Sequence, residues 1–64
     1  MLTKAYVLKR MNELMESIEI CQKMAKVEKH SEREMKRARE CASEIGRLAD
    51  EYIAQRRRLE NEEG

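Results

Sequence analysis

The sequence predicts an all-α fold, an antiparallel hairpin of two long helices that dimerises into a four-helix bundle. Three observations lead there. The 64 residues include no Pro, Phe or Trp and only two Gly, while 42% are charged and 41% hydrophobic, a composition of strong helix formers without strand or turn formers. The apolar residues recur at steps of three and four, the period of one helix face, which sets the chain apart from a disordered one of similar charge. A chain this short also rarely stabilises itself with a lone core, and calls for a partner chain, disulfides or a metal.

The first helix is expected over residues 3–29. Thr3 is placed to cap it, with Leu2 and Val7 as the flanking apolar staple. Val7, Met11, Leu14, Ile18, Cys21 and Ala25 then form a heptad seam. Leu8 and Met15 widen it on one flank and Met24 on the other, and Tyr6, Ile20 and Val27 add a further strip. A stripe of this width exceeds what one neighbouring helix covers.

The stretch EKHSEREMKR, Glu28 to Arg37, decides between a hairpin and a rod. Continuing the first seam would put Glu28, Glu32 and Arg39 at core positions beside Met35, so the seam stops here. Ser31 followed by Glu34 matches a capping box, and Glu32 adds negative charge to the start of a new helix. Lys26, Lys29 and His30 set positive charge at the end of the old one. The bend is therefore placed at residues 30–31. No Gly marks a helix C-cap, which keeps a continuous rod of about 90 Å as the alternative.

The second helix is expected over residues 32–61, with a seam of Met35, Ala38, Ala42, Ile45, Ala49, Tyr52 and Leu59. Cys41 and Leu48 flank it on one side and Ile53 on the other. From Arg56 to Gly64 the chain is polar but for Leu59 and should fray. Folding back sets Val7 opposite Tyr52, Met11 opposite Ala49, Leu14 opposite Ile45, Ile18 opposite Ala42, Cys21 opposite Ala38 and Ala25 opposite Met35, or the same pairs offset by three residues. Large meets small in most layers, which favours close approach. Leu8, Met15, Ile20, Met24, Val27, Leu48 and Ile53 are left short of cover. Each such side chain gains roughly 1.5–3 kcal/mol on burial, so these seven are the expected interface with a second copy.

The remaining features exclude more than they assign. Uncharged runs reach only four residues, as in Ala5 to Leu8, far short of a membrane span, and the N-terminus has no signal-peptide core, so a cytoplasmic protein is expected. Cys21 and Cys41 match no CxxC spacing, and with His30 they make no recognisable metal set; two small buried thiols are expected, and no cofactor or metal. Carboxylates such as Glu13, Glu16, Glu19, Glu40, Glu44 and Glu51 alternate with bases on solvated helix faces. With no phosphate loop and no nucleophile beside a base, no enzymatic activity is expected.

What is left is a helical protein–protein interaction module, an adaptor, assembly factor or inhibitor that works as a homodimer on an unidentified protein partner. A second reading is a nucleic-acid-binding regulator, using Lys29, Arg33, Lys36 and Arg37 at the bend and Arg56, Arg57 and Arg58 near the end. The net charge of +1 supplies no overall field for it. A third is a tethering coiled coil in the rod form. In layout, the alternation of small and large residues along MNELMESIEIC and ARECASEIGRLADEY resembles the plasmid RNA-binding Rop family, whose helical hairpins dimerise into four-helix bundles. That family's exposed mid-helix aromatic has no counterpart among Glu13, Glu16 and Glu19, so no binding residues carry over.

Overall fold

The computed structural model describes residues 1–63, the side chains of Glu62 and Glu63 excepted. It is all-helical. Helix α1 spans Lys4–Ala25, a single 3₁₀ turn covers Glu28–His30, and helix α2 spans Ser31–Glu63. The two helices pack against each other as an antiparallel hairpin of 55 × 17 × 12 Å, far shorter than a continuous rod. At about 1.5 Å per residue the 33 residues of α2 account for nearly that whole length, and the 22 of α1 for about two thirds of it.

Thr3 caps α1 as its sequence position predicts. Its backbone is extended, and its Oγ1 accepts from the Tyr6 N–H at 3.1 Å, satisfying one of the unpaired donors of the first turn. Just upstream, the N-terminus is tied across to α2. The Leu2 N–H donates to Gln55 Oε1 at 2.9 Å, and Gln55 Nε2 donates back to the Leu2 carbonyl at 2.6 Å.

The turn lies earlier than residues 30–31. The α-helical path ends at Ala25, Lys26 stays helical, and Val27 is the one residue that swings out to extended backbone, with φ −83° and ψ 111°. The N–H groups of Lys26 and Val27 donate back to Lys23 and Met24, and that of His30 donates to Val27, so the reversal is held by backbone hydrogen bonds alone. No residue in it has positive φ, which is why no glycine is needed. Val27 is β-branched and tolerates the extended state well. Ser31 is already in helical conformation, at φ −53° and ψ −52°, one turn inside the new helical path. The capping box expected of Ser31 and Glu34 therefore does not form, and Glu34 turns inward instead, to 4% exposure.

The seam of α1 is the predicted one. Val7, Leu14 and Cys21 are buried, and Met11, Ile18 and Ala25 half-buried. The seam of α2 is rotated from the predicted one. Its covered positions step Ser31, Glu34, Ala38, Cys41, Ile45, Leu48, Tyr52, Gln55 and Leu59, with Glu44 and Ala49 half-buried at its edges, while Ala42 and Met35 face out, Met35 at 58% exposure. Ala38, Ile45, Ala49, Tyr52 and Leu59 belong to both. The rotation exchanges Ala42 for Cys41 and gives Leu48 a place on the seam, and it leaves Met35 in solvent. Glu34, Cys41, Leu48 and Gln55 are spaced by heptads, so seating Leu48 carries Glu34 into the interface with it. Helix α2 continues through Glu63; Gly64 lies outside the described residues.

Candidate interaction surface

Helical positions three, four and seven apart share a face, so each helix of the hairpin shows one flank on either side of the seam. On one side, Lys4, Leu8 and Met11 of α1 line a shallow recess with Ala49, Tyr52 and Ile53 of α2, floored by Val7. Met15 continues this flank one heptad beyond Leu8, and Gly46 and Ala42 continue it one heptad before Ile53 and Ala49. Leu8, Met15 and Ile53 are each about half exposed. This flank is apolar over the half nearer the termini, while toward the bend the same tracks reach Gln22, Arg39 and Glu32.

The opposite flank is mixed. Ser17, Ile20, Cys21 and Met24 of α1 meet Glu34, Arg37, Glu40 and Cys41 of α2 around an open recess. Further along, Arg10 Nη2 lies 3.2 Å from Glu44 Oε1, an ion pair between the helices whose side chains are 38% and 41% exposed. The inward Glu34 carboxylate sits beside Cys21 and lies 3.7 Å from Arg33 and 3.8 Å from Arg37, whose guanidiniums remain in solvent. Burial pushes the Cys21 thiol up from its ordinary value, and the Glu34 carboxylate beside it pushes the same way. That disfavours the thiolate form of this seam residue. Both cysteines are free thiols. Among the described residues no group of His, Cys, Asp and Glu side chains is arranged to hold a metal ion.

The seven residues expected at a subunit interface thus fall in four places. Leu8, Met15 and Ile53 share the apolar flank, Ile20 and Met24 share the mixed one, and Val27 stands exposed at the turn. Leu48 is half-buried on the intrachain seam. The basic residues are divided too. Lys29, Arg33, Lys36 and Arg37 sit at the bend, where Lys36 pairs with Glu32 at 3.4 Å and Arg33 approaches His30, while Arg56, Arg57 and Arg58 lie toward the opposite end, Arg58 beside Met1. The two basic sets of one chain do not form one surface.

Three features went unseen in the sequence. Glu34 was read as a surface cap, though it is one heptad before Cys41, the spacing that could have revealed it. Gln55 continues the same track and clamps Leu2. Gly46 lies mid-helix with ordinary backbone, and a Cβ built on it would meet nothing within 4 Å. No protein family, curated protein or solved structure matches the chain. No helix among the described residues is long and apolar enough to cross a membrane.

Proposed function

We propose that the chain is a small non-enzymatic interaction module that works as a homodimer, two hairpins sharing one four-helix core and offering their outer helix faces to another protein. The observation that carries this is the amount of surface a single hairpin leaves in water. A folded monomer of this mass exposes about 4,300 Å² by the usual scaling of area with mass. This chain exposes 5451 Å². The surplus of roughly 1,200 Å² per chain exceeds the ~800 Å² that each partner gives to a standard interface and matches an obligate homodimer. Among the described residues only Val7, Leu14 and Cys21 are buried apolar ones, and no side chain is wholly enclosed, so the lone hairpin has little core of its own.

Sedimentation equilibrium with circular dichroism tests the reading. A helical species of twice 7.6 kDa, with a melting temperature that rises with protein concentration, is expected. A helical monomer with a concentration-independent melt would remove the dimer. The nucleic-acid reading is tested beside it by RNA and DNA retardation, which would have to persist at about 0.2 M salt to displace the protein-interaction one.

A further inference from the structure

Gly46 has no use within its own chain. A glycine in a helix interior costs stability relative to alanine, and it is kept where the backbone must reverse or where another group comes close. Its backbone is ordinary, and a methyl group there would meet open space. Of the two flanks of the hairpin, it lies on the apolar one, beside Ala49 and one heptad from Ile53, with Leu8, Met11 and Met15 across the seam. The interhelical ion pair Arg10 with Glu44 and the buried Glu34 with its arginines belong to the other flank, where docking an apolar surface would strip charges of water.

We infer that the second copy of this chain seats on the Gly46 flank, with a partner helix approaching the α2 backbone at Gly46 and large side chains of α1, Leu8 and Met15, closing over it from either side. This rests on the homodimer reading and says which flank it uses. Small residues on α2 beside large ones on α1 make a stepped surface that two copies can interlock by a twofold axis, each copy's Met15 and Leu8 filling the hollow over its partner's glycine. The surplus area found above is of the size such a contact removes. The mixed flank, with Ile20 and Met24, then stays in solvent.

Association of the full chain is measured by sedimentation velocity for the wild type, Gly46→Leu, Met15→Gln and Ile20→Gln, each checked for helicity by circular dichroism. Leucine favours helix, and its Cβ has room at position 46 within the hairpin, so Gly46→Leu should fold. Expected is a dimer whose association weakens by about tenfold or more in Gly46→Leu and in Met15→Gln, and by no more than about twofold in Ile20→Gln. A wild type that stays monomeric overturns the dimer and the face together. A dimer that survives both Gly46→Leu and Met15→Gln, or that Ile20→Gln weakens equally, overturns the face alone and leaves the dimer standing.

Discussion

The two halves of the helix–helix seam are built differently. Toward the termini, Val7 and Leu14 are buried with Tyr52 and Ile45 on the facing seam, and the Leu2–Gln55 pair closes the end with two hydrogen bonds. Toward the bend, the covered residues are Ile18, Cys21, Ala25, His30, Ser31, Ala38, Cys41 and a carboxylate, of which only Cys21 and the carboxylate are fully buried. Free energy from apolar burial is concentrated in the first half. The second half holds the chain reversal, and it tolerates Glu34 because Arg33, Arg37 and the Cys21 thiol surround it. Stability and direction thus come from different stretches of one interface.

Truncation separates the halves most sharply. Leu14→Ala should cost about 2–5 kcal/mol, comparable to the stability of so small a domain, and abolish a cooperative thermal transition followed by circular dichroism. Equal loss from Cys21→Ala would show that the bend half carries as much. A smaller effect of opposite sign is expected at the bend. Replacing a buried ion pair by apolar residues of similar volume is often neutral or stabilising, and removing one partner alone is costly where the other charge stays buried; here the arginines left behind are already in solvent. Glu34→Leu should raise the melting temperature at fixed protein concentration; a fall would mean that the carboxylate network stabilises the turn. The smallest change is Gln55→Ala, which removes the clamp on Leu2 and should cost about 1 kcal/mol, with faster amide exchange confined to the first turn of α1.

The hairpin, the Thr3 cap and the α1 seam were legible because each depends on residues close in sequence and on a period repeated over several turns. Val7, Leu14 and Cys21 could be read as core from spacing alone. The turn was misplaced because Ser31 and Glu34 form a strong local motif, and local motifs are weighed without knowing which face must turn inward. Val27, which makes the break, carries no turn signal of its own. The candidate surface was legible as a set of uncovered apolar residues but not as two flanks, because that division depends on the rotation of α2.

By itself the sequence determined that this chain is helical, that it doubles back, and which stripe of α1 is covered, since helix propensity and heptad spacing are properties of neighbouring residues. Only the tertiary structure decided the rotation of α2, the inward Glu34 and the isolation of Gly46 on an apolar flank. A helix rotates as a rigid body, so the face that seats Leu48 and Cys41 against α1 carries Glu34 inward with them and leaves Ala42 and Met35 outside, a choice that exists only once α1 is there to pack against.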